Sequence, residues 1–315
     1  MPLIILAVGI LLLFFLIVRV KLNSFISLLI VAGVVGYAEG LPVTQIIPVI
    51  QKGLGGTLGG LAIVVSFGAI LGKLMAESGG AQRIAMTLIN MFGREKVKWA
   101  VCLTGFIVGI ALFYEIGFVL LIPLVFTIAA SAQIRLLEVG IPMAAALSVT
   151  HGFLPPHPGP TAISVIYNAD IGLTLVYGAI LAAPIAIIAG PVFYNFVKDL
   201  NPAIPQGLYN PKVFKDEEMP SFGISVFTAL VPVILMAASS VVTMAKMQGF
   251  GIDVVKFLGT PVIALGVGTA FAVLQLKLAD KIKDFYAIVE ETLKVTGPIL
   301  FITAAGGVLG KVIAS

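Results

Sequence analysis

A proline-rich segment within a long apolar stretch constrains the fold of this chain most. Residues 148–161 contain four prolines and both of the chain's histidines, His151 and His157. Because proline lacks a backbone donor and clashes with the preceding helical turn, we expect no helix to run through residues 155–160. In a membrane, unpaired backbone is tolerated only where protein buries it or where it lines a water-filled cavity. The segment therefore predicts a broken membrane helix with a substrate site, which favours a transporter.

The remainder of the sequence has the composition of a polytopic membrane protein. Of its 315 residues, 59% are hydrophobic and 11% are charged, whereas about a quarter of a soluble domain is charged. Spanning a bilayer takes about 20 helical residues, or fewer when flanking residues snorkel. Apolar runs that approach this length lie at 3–18, 25–38, 54–71, 99–114, 116–130, 173–197, 222–245, 261–274 and 295–312. We predict an all-α polytopic membrane protein.

The basic residues predict its orientation. If the N-terminus is periplasmic and residues 138–167 form one broken crossing, every lysine and arginine lies on the cytoplasmic side except Lys52, Lys246, Lys256 and Lys311. If the broken segment instead returned to the same face, the later basic loops would change sides. Since cytoplasmic loops carry an excess of Lys and Arg, the crossing is favoured. The net charge of +4 is thus interpreted as membrane topology, and no nucleic-acid partner is expected.

Two stretches match at an offset of 238 residues. Residues 68–77 align with residues 306–315, with five of ten positions identical. Because the topology places Lys73 inside and Lys311 outside, the copies would run in opposite directions, as in inverted-repeat transporters; a chance match between Gly- and Leu-rich helices is the alternative. The predicted units are a first repeat at 1–197, a cytoplasmic linker at 198–220 and the start of an incomplete second repeat at 221–315.

Two further segments have simpler interpretations. Residues 78–93 predict a short interfacial helix with Ser78 as its cap and with Ile84, Leu88 and Met91 on one face. The acidic triplet at 216–218 predicts a solvated loop.

Glu115 lies between two apolar arms, residues 99–114 and 116–130. Each arm would form about 24 Å of helix, which is short for a full span. The arms are therefore either two tilted crossings with Glu115 at the outer surface, or a re-entrant hairpin near 99–130 with Glu115 near the midplane. A buried carboxylate is costly and marks a proton or substrate pathway, so Glu115 is a candidate for proton coupling.

Polar groups at the proline break predict an anion site. Because histidine ordinarily titrates near neutral pH, His151 and His157 could bind an anion or relay a proton; alternatively, both are structural and donate to carbonyls freed by the kink. A half-helix beginning near Thr161 would offer free N–H groups and a partial positive charge to a carboxylate. Hydroxyls suited to a polyol are those of Ser148, Thr150, Thr161 and Ser164. The candidate substrate-binding residues are Ser148, Thr150, His151, His157, Gly159 and Thr161. The sequence contains no Cys/His/Glu set at zinc-ligand spacing, so we expect no metal.

The proline segment resembles the signature of the gluconate permease family, in the form Thr150-His-Gly-Phe-Leu-Pro-Pro-His-Pro-Gly-Pro-Thr161. Similarity to this family extends to residues 79–85, 112–119, 123–132, 140–148 and 217–223, and so covers essentially the whole chain. These proteins are bacterial gluconate:proton symporters, and their relatives carry other sugar acids or D-serine.

The resemblance implies a member of the ion-transporter superfamily. This group shares inverted repeats, paired re-entrant hairpins, broken helices and an elevator movement between scaffold and transport domains, and it implies a homodimer. It also favours the hairpin arrangement around Glu115. In the family, a second hairpin and a second broken helix would follow Ser315, so we expect the chain to be the first two-thirds of a longer protein.

The sequence thus predicts a proton-coupled symporter that imports gluconate or a related sugar acid across the bacterial inner membrane by alternating access. The Thr161 end and its neighbouring hydroxyls would hold the substrate, and His151, His157 or Glu115 would carry the coupling proton, with no other cofactor. The nearest alternative is a carrier for D-serine or another small hydroxy acid. An intramembrane enzyme is disfavoured because no metal cluster or nucleophile–base pair is evident, and a passive channel is a third possibility.

Overall fold

The computed structural model describes residues 2–112, 134–200, 202, 214–278 and 285–313, together with residues 114, 117, 118, 121, 125, 126 and 129. Within these ranges all regular structure is helical and no strand occurs, which confirms the predicted all-α class. In chain order the helices are α1 Pro2–Phe14, α2 Ser24–Ala38, α3 Val43–Glu77, α4 Gly80–Phe92, α5 Val97–Ala111, α6 Leu136–Phe153, α7 Pro158–Ile166, α8 Ile171–Ile187, α9 Phe193–Val197, α10 Phe222–Met244, α11 Phe250–Leu258, α12 Pro261–Leu278 and α13 Phe285–Ile313.

Several of these helices are long and apolar enough to cross a membrane. In the described part of the chain they are α3, the α6–α7 pair, the α8–α9 pair, α10 and α13. The α11–α12 pair would add another span, although its two helices meet at a bend of 72°. This set of helices identifies a multi-pass membrane protein.

The two longest helices, α3 and α13, lie side by side and run antiparallel. At one end, a Cβ on Gly53 would meet Lys311 Cβ at 3.1 Å. At the other end, Lys73 Nζ lies 3.3 Å from Glu291 Oε2. Glycine at the contact lets two membrane helices approach closely.

The C-terminal third of α3 also packs against the broken helix and the end of α5. A Cβ on Gly68 would lie 2.9 Å from Pro156 Cγ, and one on Gly72 would lie 2.8 Å from Ala111 O. Helix α3 therefore lacks side chains where these two structures press against it. The largest buried apolar cluster surrounds this region and includes Leu74, Ile84, Val101 and Leu147.

The break is shorter than the sequence predicted. Helix α6 ends at Phe153 and α7 begins at Pro158, so residues 158–160 are helical and the half-helix does not begin near Thr161. The first turn of a helix tolerates proline because its missing N–H would have no intrahelical acceptor there. The interruption consists of residues 154–157 alone.

Helix α4 is a packed helix, and the prediction of a surface helix was wrong. Ile84 and Leu88 are buried, and Met91 alone of the predicted face is exposed. Ser78 Oγ accepts the Gly80 N–H at 3.3 Å, but the N-cap of α4 is Gly79, and no side-chain hydrogen bond caps this end. The prediction of Ser78 as the cap was therefore wrong. An amphipathic pattern specifies a buried face without saying whether lipid or protein covers it.

The end of the linker is what covers part of α4. The Gln82 side chain donates to Phe214 O at 3.0 Å and accepts from Phe214 N at 3.1 Å. Arg83 donates to Asp216 Oδ1 at 2.5 Å and to Pro220 O at 2.9 Å. The acidic triplet is therefore more than a solvated loop, since one of its carboxylates pairs with α4.

Candidate functional site

The two histidines meet across the break in the α6–α7 span. His151 lies in the last turn of α6, and His157 immediately precedes α7. Their ring centroids are 4.7 Å apart, with an interplanar angle of 48°. The short non-helical loop thus brings together the only two histidines of the chain.

His157 is fixed by a hydrogen bond to the end of α5. Its side chain is 1% exposed, and its Nε2 lies 2.8 Å from Gly109 O. Because a carbonyl oxygen only accepts, Nε2 carries the hydrogen and donates it. Carbonyls in the last turn of a helix lack intrahelical partners. His157 therefore has a structural role, although the carbonyl that it satisfies belongs to α5 and not to the kinked helix.

The ring of His151 accepts a hydrogen bond, whereas that of His157 donates one. Its Nδ1 accepts the backbone N–H of Tyr114 at 3.3 Å, so this nitrogen carries no hydrogen in the arrangement observed. The half-buried imidazole thus contacts the chain one residue before Glu115. Glu115 itself and most of the second predicted arm lie outside the described residues, so the choice between a hairpin and two crossings stays a prediction.

Thr161 is a buried hydroxyl in the first turns of α7. The residue is 0% exposed, and its Oγ1 has no hydrogen-bond partner among the described residues. A buried polar group without a partner costs about 1–3 kcal/mol, so its retention calls for an explanation. A ligand hydroxyl or carboxylate would provide the missing partner.

The first turn of α7 has few free backbone donors. Pro158 and Pro160 have no N–H, and the Thr161 N–H donates to His157 O at 3.1 Å. Of the first four residues, Gly159 alone has a backbone N–H with no acceptor among the described residues. The prediction of several free N–H groups is therefore reduced to one, which lies beside the Thr161 hydroxyl in the sequence.

The other hydroxyl candidates fall into two groups. Thr150 is buried and donates within α6 to Ala146 O and Leu147 O, both at 3.0 Å, where it packs against Gly109. Ser164 donates to Pro160 O at 2.8 Å. Ser148, by contrast, is exposed on α6. The break therefore brings the rings of His151 and His157 together, and Gly159 and Thr161 lie in the start of α7 that follows it, whereas Thr150 contributes to helix packing.

The site is open on one side. Gly152 and Gly159 flank the break, both are exposed, and a Cβ on either would meet nothing within 4 Å. In the described ranges, no group of three or more His, Cys, Asp or Glu side chains could hold a metal ion. A cavity of about 250 Å³ lies elsewhere, where the ends of α3 and α4 meet the linker, and it includes none of these residues.

Sequence reasoning missed the two backbone groups that position the histidines, Gly109 O and Tyr114 N. A signal for the first exists, because Gly105 and Gly109 lie four residues apart in α5, a spacing typical of close helix packing. Both glycines do press against α6. The glycine pattern predicts that another helix packs closely against α5, but it does not identify that helix.

Comparison with known proteins gives consistent matches. The family model described as GntP family permease matches residues 1–315. The chain is 53% identical to the High-affinity gluconate transporter of Escherichia coli (strain K12), over 99% of this chain and 72% of that protein. It is 48% identical to the Gnt-II system L-idonate transporter of the same strain, over 99% of this chain and 72% of that protein. It is 46% identical to the Gluconate permease of Bacillus subtilis (strain 168), over 99% of this chain and 73% of that protein.

Proposed function

Since this chain belongs to the GntP family of permeases, we propose that it is a symporter that imports gluconate or a closely related sugar acid with a proton by alternating access. Its membrane is the bacterial inner membrane, with the N-terminus periplasmic. The observation that carries the proposal is the interrupted span at residues 154–157. Two histidine rings meet across it, and the turn of α7 that follows holds the Gly159 N–H and the buried Thr161 hydroxyl, neither of which has a partner among the described residues. Polar groups inside a membrane span are costly and characteristic of a transport pathway.

The sugar acid binds at the start of α7. Its carboxylate accepts from the Gly159 N–H and from the Thr161 hydroxyl, favoured by the positive end of the helix. The exposed Ser148 and the half-buried imidazole of His151 are available to the substrate hydroxyls, whereas the buried His157 holds the break in shape. Two donors to one carboxylate would fix its orientation, and the polyol chain would extend towards the exposed Gly152, beside which a Cβ would meet nothing within 4 Å.

The coupling proton is carried by His151. Protonation of its Nδ1 removes the acceptor of the Tyr114 N–H, so a proton on this ring changes the contact between α6 and Tyr114. His157 is less suited, because its Nε2 hydrogen already holds Gly109 O. Glu115, the residue after Tyr114, is the second candidate for the proton.

An inverted repeat is part of the proposal, and the contact between α3 and α13 supports it. Adding 238 to Gly53 gives Glu291, and subtracting 238 from Lys311 gives Lys73. The contacts of Gly53 with Lys311 and of Lys73 with Glu291 make α3 and α13 antiparallel, so the two segments that the offset relates run in opposite directions. Two antiparallel helices related in this way are expected of repeats about a two-fold axis in the membrane plane. We place the repeats at residues 1–197 and 221–315, in an elevator-type carrier that forms a homodimer.

Uptake of labelled gluconate into proteoliposomes with an alkaline interior tests the function. We expect accumulation above the external concentration, and its loss when a protonophore collapses the gradient. If the accumulated amount of gluconate is the same with and without the pH gradient, proton coupling is contradicted. If labelled gluconate is not taken up while labelled D-serine is, the substrate assignment is wrong and the hydroxy-acid alternative replaces it.

A further inference from the structure

Helix α11 joins two long apolar helices and lies on the surface of the protein. It spans nine residues, Phe250–Leu258, and none of them is buried. It meets α12 at a bend of 72°, so α11 lies close to the membrane plane when α12 follows the membrane normal. The turn between α10 and α11 carries Lys246 and Gln248, both exposed. Polar residues at the end of an apolar span mark the edge of the hydrocarbon.

One face of α11 is apolar and uncovered. Phe250, Val254 and Phe257 follow the i, i+4, i+7 spacing of a single helix face, and they are 86%, 40% and 61% exposed. The attachment of α11 lies elsewhere: a Cβ on Gly259, just past its end, would lie 2.5 Å from Leu235 O of α10. The two aromatic rings therefore project from a helix that is held on another side.

The charged side chains of α11 border this face on one side. Asp253 and Lys256 occupy adjacent positions around the helix, and Lys256 Nζ donates to Met247 O in the preceding turn at 3.3 Å. An apolar face bordered by charged residues, on a helix inclined to the spans, is the pattern of an interfacial membrane helix.

We propose that Phe250, Val254 and Phe257 insert into the boundary between the headgroups and the acyl chains of the bilayer, on the side that the charge distribution predicts to be periplasmic. Helix α10 supports lipid as the occupant, because it presents exposed apolar side chains along its length, at Ile224, Phe227, Ile234 and Val241. Three side chains are also too few for a stable protein interface, which buries about 1,200–2,000 Å². Lys246 lies where it can meet the lipid phosphates.

Tryptophan fluorescence in vesicles tests this proposal without reference to transport. Trp99 is the only tryptophan, so Trp99→Phe gives a silent background for Phe250→Trp and Phe257→Trp. The matched control is Ile252→Trp, on the opposite side of α11. The vesicles contain phosphatidylethanolamine, phosphatidylglycerol and phosphatidylcholine brominated either near the carbonyl or near the end of the acyl chain.

We expect lipids brominated near the carbonyl to remove most of the emission of Phe250→Trp and Phe257→Trp, and deep bromines to remove less, because an interfacial helix lies about 5–10 Å into this boundary. The Ile252→Trp emission should be largely retained. Quenching by aqueous iodide and not by bromine would overturn the proposal. It would equally be overturned if neither quencher reached the rings and Phe250→Cys, in a Cys102→Ser background, formed disulfide-linked dimers, since a second copy would then cover the face.

Discussion

At the scale of single residues, the prolines of the break decide which donors remain for a substrate. Pro158 and Pro160 remove two backbone N–H groups from the first turn of α7, and His157 O occupies a third. The proposed substrate site thus has two donors, the remaining Gly159 N–H and the Thr161 hydroxyl. Few donors suit a single carboxylate better than a phosphate, whose oxygens need more partners.

Replacing Thr161 by Val removes the unpaired hydroxyl and nearly preserves the side-chain volume. A hydrogen bond to a charged group contributes about 1.5–3 kcal/mol, so we expect the KM for gluconate to rise about tenfold or more. The matched control is Ser164→Ala, whose hydroxyl is occupied by Pro160 O. Initial rates of labelled gluconate uptake measure both variants; equal KM values for the two would remove Thr161 from the site.

Replacing His151 by Asn keeps an acceptor within reach of the Tyr114 N–H but removes the titrating ring. We expect proton-driven accumulation to disappear while exchange of internal for external gluconate continues, because exchange needs no net proton movement. The comparison variant is Glu115→Gln. If His151→Asn accumulates gluconate normally and Glu115→Gln does not, the coupling proton belongs to Glu115.

At the scale of elements, α3 contacts the site with its backbone. Because Gly68 has no side chain, Pro156 can pack against α3 at that position. Because Gly72 has none, the end of α5 can do the same there. These contacts position both partners of the hydrogen bond between His157 and Gly109. Packing of α3 is therefore linked to the geometry of the break, although α3 supplies no polar group to it among the residues described.

The variant Gly72→Ala tests this link. Its Cβ would lie 2.8 Å from Ala111 O, a backbone atom that cannot rotate away, and overpacking costs about 1–3 kcal/mol. We expect a lower free energy of unfolding in mixed micelles and slower gluconate uptake. The control Gly59→Ala places its Cβ in open space and should be neutral or stabilising by about 0.5–1 kcal/mol. Equal losses in both variants would show that the contact is unimportant.

At the scale of the whole molecule, the docked linker connects α4 with the start of α10. Arg83 makes the central contact, because it donates to the carbonyls of Pro220 and Asp216 as well as to the Asp216 carboxylate. The Asp216 side chain is 78% exposed, whereas that of Arg83 is 18% exposed. An ion pair so exposed contributes little by itself, so the bonds to the carbonyls hold the linker.

Arg83→Gln and Asp216→Asn should therefore differ. We expect the arginine variant to lose about 1–3 kcal/mol of stability, since it leaves carbonyl acceptors without a charged donor. The aspartate variant should lose less than about 1 kcal/mol. Thermal unfolding in detergent compares them, and a larger loss for Asp216→Asn would contradict this account of the linker.

The antiparallel arrangement of α3 and α13 also allows a test of orientation. In a Cys102→Ser background, which has no other cysteine, Lys294→Cys should react with a membrane-impermeant maleimide only after the cells are opened. Lys311→Cys, near the other end of α13, should react in intact spheroplasts. The reverse pattern would invert the topology predicted from the basic residues.

The sequence by itself determined the all-α class and the membrane location, because composition and apolar length reflect the solvent of each segment. It also determined where the span is broken, since the effect of proline on a helix is local. The start of α7 was misplaced only because the first turn of a helix accepts proline.

Only the tertiary structure decided which groups meet at the break. His157 bonds to a carbonyl 48 positions away, His151 to an N–H 37 positions away, and Gln82 to a backbone 132 positions away. The pattern of α4 predicted a buried face, but lipid and protein neighbours require the same apolar residues. The partner that a buried polar group bonds to depends on how distant helices pack. A local sequence pattern contains no information about that choice.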